Sequence, residues 1–94
     1  MIGPGSRLRL ASKARLRFDP RSGRHVLLYP ERGLDLSESA ARIAALCAEE
    51  RTVGGIVDAL CAEATGEPRA RIESDVLAFL HKLEDRGLLV VSGT

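Results

Sequence analysis

One run of thirteen residues constrains the fold of this chain more than any other part of the sequence. Residues 25–37 read His-Val-Leu-Leu-Tyr-Pro-Glu-Arg-Gly-Leu-Asp-Leu-Ser. The apolar stretch before Pro30 predicts a β-strand, and Pro30 should end it because proline cannot donate to a β-ladder. Leu34-Asp35-Leu36 predicts another, very short strand, and Ser37 is a favourable helix N-cap. The run therefore predicts the edge of a small sheet directly before the start of a helix.

A hairpin is predicted immediately upstream. Between residues 14 and 18, apolar Leu16 and Phe18 alternate with Arg15 and Arg17, which is typical of a half-buried strand with the two apolar side chains on one face. Residues 19–24 are dense in turn-forming types, so this strand and the next should pair as a hairpin. Residues 1–13 are expected to form a flexible N-terminal tail, which leaves one domain over residues 14–91.

Three helices should follow the strands. Ser37 caps the first, which is expected to run to about Ala48, and Thr52 caps the second. Pro68 suits the first turn of the third helix, which should end before Gly87. Residues 88–91 are expected to add a strand or to cover the core. Strands followed by helices indicate the α+β class, and a winged-helix-like arrangement of three short antiparallel strands and three helices fits best.

Composition and residue spacing exclude several classes of function. The 94 residues include 45% hydrophobic and 29% charged residues, with no apolar run long enough to cross a membrane and no secretory signal, so a cytoplasmic location is expected. Cys47 and Cys61 stand singly within helical patterns and are expected to be buried free thiols. His25 and His81 have no acidic or thiol neighbours at ligand spacing. The sequence therefore predicts no metal site, no cofactor and no catalytic residues, and we expect a protein that is not an enzyme.

Charge is distributed unevenly along the chain. Residues 1–32 carry eight Lys and Arg against two acidic residues, a net charge of +6, whereas the remainder carries six basic against eleven acidic residues, a net charge of −5. Such a split indicates an anionic partner for the basic part, charge-complementary packing within the protein, or an arginine-bearing strand face exposed to solvent. The sequence leaves these three explanations open.

Several segments together resemble one known family. In the order of the chain they are His25-Val26-Leu27-Leu28-Tyr29-Pro30-Glu31, Leu36-Ser37, Ala40-Ala41-x-Ile43, Leu46-Cys47, Arg51-Thr52-Val53, Ile56-Val57 and Asp75-Val76-Leu77-x-Phe79-Leu80-x-x-Leu83-x-x-x-Gly87-Leu88-Leu89. Over roughly residues 14–90 this pattern is similar to PqqD, protein D of pyrroloquinoline quinone (PQQ) biosynthesis. The chain departs from it at Ser37, where the family often has Asn, and at Ala48-Glu49, where the family has Asp-Gly.

The resemblance implies a peptide chaperone. In that family the domain binds the leader of a short precursor peptide and presents it to a radical S-adenosylmethionine enzyme, which cross-links a Glu and a Tyr of the peptide. The leader adds as a strand beside the third strand, in a groove formed with the third helix. Transferred to this sequence, the strand is Leu34-Asp35-Leu36, the groove rim is Asp75 and Lys82, and the floor is Val76, Phe79 and Leu80. Apolar residues at this spacing are core residues more often than site residues, so the apolar members of this set are also expected in the core.

Three other functions fit parts of the pattern. A winged-helix DNA-binding protein would use Arg69 and Arg71 at the start of the third helix, but acidic residues such as Glu73 and Asp75 on the same helix would repel phosphates. Neither nucleic acid nor a membrane is therefore an expected partner. A structural subunit would need the same docking surface as a chaperone.

Apolar residues on both faces of the strand around Leu27 and Tyr29 also predict self-association, with a homodimer as its simplest form.

Overall fold

Two small antiparallel sheets and three helices make up the protein. The computed structural model describes residues 2–3, 5–30, 32–64 and 66–92. Within these residues the elements are β1 (Arg7–Leu10), β2 (Arg15–Asp19), β3 (Arg24–Tyr29), β4 (Arg32–Leu36), α1 (Glu38–Leu46), β5 (Arg51–Thr52), α2 (Val53–Glu63), α3 (Arg69–Asp85) and β6 (Leu89–Ser92). One sheet has the strand order β2-β3-β4 and the other has the order β5-β1-β6. The predicted α+β class is confirmed, but the predicted count of three strands is wrong.

The sheet β2-β3-β4 is the one that the sequence predicts. Its strands follow one another in the chain, and Leu16, Leu27 and Leu34 lie opposite one another across it. Because side chains alternate between the faces of a strand, this row and its neighbours on the same face point towards α1. Leu27 is completely buried, whereas the next residue, Leu28, remains 39% exposed on the opposite face. The sheet therefore has one face in the core and one face in solvent.

The turn between β2 and β3 has the chemistry that its residue types predict. The carboxylate of Asp19 accepts hydrogen bonds from the backbone N–H of Arg21 at 3.0 Å and from the hydroxyl of Ser22 at 3.1 Å. Gly23 has φ +70°, a left-handed conformation that glycine adopts without steric cost. The hairpin is thereby fixed in register at the Asp19–Arg24 pair.

The sheet β5-β1-β6 corrects the prediction of a flexible tail. Residues 7–10 form β1, which pairs antiparallel with β6 from Arg7 opposite Ser92 to Leu10 opposite Leu89. Leu8 is fully buried, and a backbone hydrogen bond of 2.8 Å joins the N–H of Leu10 to the carbonyl of Cys47. The tail prediction is wrong for these residues because both partners of β1 are distant in the chain. Met1 and Pro4 lie outside the described residues.

The predicted helix caps are confirmed. The Ser37 hydroxyl accepts a hydrogen bond from the N–H of Ala40 at 3.1 Å, and the Thr52 hydroxyl accepts one from the N–H of Gly55 at 3.0 Å. Each contact satisfies a donor that has no partner within its helix. The first helix ends at Leu46, slightly earlier than predicted.

The end of α3 is also well defined. Gly87 has φ +70°, its N–H donates to the carbonyl of Glu84 at 3.0 Å, and the N–H of Leu88 donates to the carbonyl of Leu83 at 2.9 Å. This pair of bonds is a Schellman motif, and the fully buried Leu83 and Leu88 supply the apolar contact that accompanies it. The motif turns the chain from α3 directly into β6, which packs on the core.

Phe18 lies on the same face of β2 as Leu16, as the sequence predicts, but it is much more exposed than Leu16. The residue is 56% exposed. Phe18 lies in the row Phe18–His25–Leu36, at the end of the sheet where β4 leaves for α1. The ring is therefore at the rim of the core and packs on the His25 imidazole, with 5.0 Å between the ring centroids.

Candidate functional site

The strand β4 is an edge of its sheet. It pairs with β3 on one side, and no strand among the described residues lies on its other side. An edge strand of an antiparallel sheet directs the N–H and C=O groups of alternate residues away from its neighbour. Within the described part of the chain, no backbone hydrogen bond from residues 33–36 to another element uses these groups. The edge can therefore accept one further strand.

A groove lies between this edge and α3. Its cavity measures about 470 Å³, and it is open to solvent along its length. The strand side, the first half of α1 and one face of α3 all contribute to its lining. The lining residues are Asp35, Leu36, Ser37, Ser39, Ala40, Ile43, Asp75, Ala78, Phe79 and Lys82.

The α3 wall of the groove is a single helical stripe. Asp75, Ala78, Phe79 and Lys82 are spaced at i, i+3, i+4 and i+7, which places them on one face of the helix. With a rise of about 1.5 Å per residue, Asp75 and Lys82 are roughly 10.5 Å apart along the axis, with Phe79 between them. The wall thus carries a negative charge, an aromatic surface and a positive charge in that order.

The charged groups of the groove are free to interact with a ligand. Asp35, Asp75 and Lys82 are all exposed, and no ion pair within the described residues engages any of them. Phe79 is half-buried, so part of its ring faces the groove. An extended chain in the groove would find backbone partners on one side and both charge signs on the other.

Five of the eight residues that the sequence assigns to the site line this groove. They are Asp35, Leu36, Asp75, Phe79 and Lys82. Leu34 lies outside the lining, half-buried in the inward-facing row of the sheet.

The two remaining predicted floor residues do not line this groove. Val76 and Leu80 are fully buried in the core. Both belong to the apolar stripe of α3 that packs against the rest of the protein, as their spacing also allows. The floor is built instead by Ala40 and Ile43 of α1 and by Ala78 of α3. Sequence reasoning missed these residues because their position depends on how α1 packs beside α3.

The start of α3 bears on the alternative of DNA binding. The Arg69 guanidinium donates to the Asp58 carboxylate at 2.7 Å, and this hydrogen bond raises the pKa of Arg69 above its ordinary value. One of the two arginines that would contact phosphates is therefore engaged with α2. The exposed Glu73 and Asp75 follow it on the same helix.

The described residues give little support to a metal site, a membrane-spanning helix or a reactive thiol. They contain no group of three or more His, Cys, Asp or Glu that could hold a metal ion, and none of their helices is long and apolar enough to cross a membrane. The buried Cys47 is a poor nucleophile, because burial raises the pKa of its thiol to about 11 despite the opposing charge of Arg51. Cys47 and Cys61 are not joined by a disulfide.

Comparison with known proteins decides the family. The model of the family "Coenzyme PQQ synthesis protein D (PqqD)" matches residues 24–89, which span β3, β4, all three helices and the start of β6. The chain belongs to the PqqD family. Its match to the family includes the whole of the strand edge and helix face that form the groove.

Individual PqqD relatives agree with this assignment over nearly the whole chain. A PqqA binding protein of Rhodopseudomonas palustris strain TIE-1 is 45% identical over 88 residues, covering 94% of this chain and 85% of the relative. The solution structure of the PqqD truncation of Methylobacterium extorquens PqqCD, a stand-alone recognition element for ribosomally synthesised and post-translationally modified peptides, is 33% identical. It superimposes with a TM-score of 0.80 and covers 96% of this chain and 95% of its own.

A second solved structure has a peptide bound to the same fold. TbiB1 in complex with the TbiA(β) leader peptide is 28% identical, with a TM-score of 0.73, and the match covers 86% of this chain and 93% of that one. The PqqD-type fold is therefore similar to a fold that is known with a leader peptide bound.

Proposed function

We propose that this protein is a peptide chaperone of PQQ biosynthesis, which binds the leader of the precursor peptide in the groove between β4 and α3. The observation that carries the proposal is the free edge of β4 beside the stripe Asp75, Phe79 and Lys82. Strand addition at a free edge gives affinity through main-chain hydrogen bonds, while adjacent side chains select the sequence and register. Relatives that are PqqA binding proteins support the same role.

The role that we propose is binding rather than catalysis. The precursor peptide is one partner, and the radical S-adenosylmethionine enzyme that modifies it is the other. The groove holds two carboxylates and one ammonium group on an open surface, where water is not excluded from a reacting bond. We also place the protein in the cytoplasm, a reducing compartment in which Cys47 and Cys61 would remain free thiols.

Replacing Asp35 by Pro tests strand addition directly. Proline removes the N–H at position 35 and stiffens the edge of the sheet, so we expect the affinity for the precursor peptide to fall by at least about tenfold. The matched control is Asp35→Asn, which removes the charge and keeps the N–H. Isothermal titration calorimetry measures both affinities, and circular dichroism melting checks that each variant is folded.

Hydrogen exchange gives a second readout that does not depend on a variant. When the peptide adds as a strand, the outward-facing amides of residues 32–36 become protected against exchange. A peptide that binds with full affinity while these amides exchange at their free-protein rates would contradict strand addition at this edge.

A further inference from the structure

The sheet β2-β3-β4 has a second free edge, formed by β2. This strand pairs with β3 on one side, and no strand among the described residues lies on its other side. Among the described residues, β2 makes one backbone hydrogen bond besides those of its ladder with β3. This bond belongs to the turn, where the N–H of Gly23 donates to the carbonyl of Asp19. A second extended segment therefore has backbone groups to pair with, on the side of the sheet opposite the β4 groove.

A groove also runs along this second edge. Its cavity measures about 610 Å³, larger than the groove beside β4. Its wall on α1 consists of alanines, and small side chains let another backbone approach closely. The lining residues are Arg9, Leu10, Ala11, Ser12, Ala14, Arg15, Leu16, Arg17, Ala44, Ala45 and Ala48. We call this surface the β2 groove.

The charge of the β2 groove has one sign. Its lining includes the three arginines Arg9, Arg15 and Arg17 and no acidic residue. None of the three forms an ion pair with another described residue, although Arg7, only two residues before Arg9, is 3.8 Å from Glu50. Each arginine is exposed and keeps its donors for a partner.

An apolar patch continues the β2 groove onto the outer face of the sheet. Arg15 lies opposite Leu28 and Arg17 lies opposite Val26 in the β2-β3 register. Leu28 is 39% exposed and Val26 is half-buried, so apolar surface borders the arginines. A basic rim beside exposed aliphatic side chains is the composition of a protein-binding surface.

The structure also argues against one of the three explanations for the uneven charge along the chain, namely charge-complementary packing within the protein. Charge-complementary packing within the protein would pair the basic residues of the first 32 positions with the acidic remainder. Among the described residues, Arg7–Glu50 is the ion pair that joins these two parts, and the other pairs lie within the remainder. Among the described residues, ion pairs with the acidic remainder therefore engage only one of the eight basic side chains of residues 1–32.

We propose that the β2 groove docks an extended acidic segment of the enzyme that receives the peptide. The identity of this partner rests on the proposed function, whereas its chemistry rests on the three arginines and the free edge. The two grooves share no lining residue, so a leader beside β4 and an enzyme segment beside β2 can be bound at the same time. One small sheet thus connects the peptide to its enzyme through its two opposite edges.

The test reverses the charge of the groove. The double variant Arg15→Glu, Arg17→Glu is compared with Arg21→Glu, Arg24→Glu, which makes the same charge change on the exposed hairpin outside the groove. The probe is the purified radical S-adenosylmethionine enzyme of the same organism's PQQ pathway. We expect the groove variant to bind it at least about tenfold more weakly, and the hairpin variant to stay within about threefold of the wild type.

The readouts separate failure of this inference from failure of the proposed function. Calorimetry with the precursor peptide should give equal affinities for the wild type and the two double variants. If none of the three binds the peptide, the proposed function is overturned, and the enzyme-binding measurements still decide whether the β2 groove is a docking site. Equal loss of enzyme binding in both double variants would show a non-specific charge effect and overturn docking at the β2 groove.

Two other occupants are distinguished in the same experiment. Light scattering that shows a wild-type dimer and a monomeric groove variant would assign the surface to a second copy of the chain. Retention of random duplex DNA at ordinary salt, lost in the groove variant, would assign it to nucleic acid. Either result would overturn the inference, whereas protection of β2 amides from hydrogen exchange on addition of the enzyme would support it.

Discussion

The two sheets of this protein have the same number of strands but are assembled from the chain in different ways. The sheet β2-β3-β4 is built from consecutive segments and presents two free edges, each beside a groove. The sheet β5-β1-β6 is built from residues 7–10, 51–52 and 89–92, which are distant in the chain, and it closes the core with Leu8, Leu88 and Leu89. Both the local sheet β2-β3-β4 and the long-range sheet β5-β1-β6 contribute fully buried side chains to the core, Leu27 and Leu8 respectively, and we propose that the local sheet also binds the partners.

The largest expected effect concerns stability of the long-range sheet. Leu8→Ala removes a fully buried side chain from β1, and we expect the free energy of unfolding to fall by about 2–5 kcal/mol. The matched control is Leu28→Ala in the local sheet, where the side chain is already 39% exposed and the loss should stay below about 1 kcal/mol. Urea denaturation measures both. Equal losses would mean that the burial of Leu8 in β1 does not set its contribution to stability.

The next effect is a loss of stability at high pH that arises from Cys47, which lies beside the sheet β5-β1-β6. The carbonyl of Cys47 accepts the N–H of Leu10 in β1, and burial raises the pKa of the thiol from 9.0 to about 11. The folded state therefore holds this proton more tightly than the unfolded state, so the stabilisation is complete below pH 9 and is lost between pH 9 and 11. The loss should reach roughly 2 kcal/mol.

The control for this pH effect is Cys47→Ala, which removes the thiol and keeps every other titratable group of the protein. Denaturation curves at several pH values should show a steeper decline for the wild type than for the variant. Parallel declines would mean that the Cys47 thiol does not contribute to the pH dependence.

The smallest of these effects sharpens the role of the local sheet. Phe79→Ala removes the aromatic part of the groove wall, and we expect the affinity for the precursor peptide to fall about tenfold, which corresponds to the loss of part of one apolar contact. Leu77→Ala is the control, since Leu77 is half-buried on the same helix and does not line the groove. Calorimetry should show an affinity within about twofold of the wild type for the control.

Much of the local structure could be predicted from the sequence. The alternation around Leu16, the stop at Pro30 and the caps Ser37 and Thr52 are properties of a few neighbouring residues, and the structure confirms each of them. The same is true of Gly87, whose left-handed conformation ends α3. These features are set by backbone sterics and nearby hydrogen bonds, which a single sequence displays.

Only part of the candidate site could be predicted, because the sequence shows the type and order of segments but not how they pack. Its charged and edge residues, Asp35, Asp75 and Lys82, lie on segments whose type and order the sequence shows. The floor was not predicted, because apolar helical positions such as Val76 and Ile43 read alike until the packing is known. Packing buries both side chains, and it places Ile43 but not Val76 at the lining of the groove.

The sequence by itself determined the order of the hairpin, the short edge strand and the capped helices, because each depends on interactions within a few residues. Only the tertiary structure decided that residues 7–10 are a strand and that the sheet has a basic groove at its second edge. Both depend on contacts between segments far apart in the chain, where the loss of chain entropy is offset by burial that no local pattern reveals.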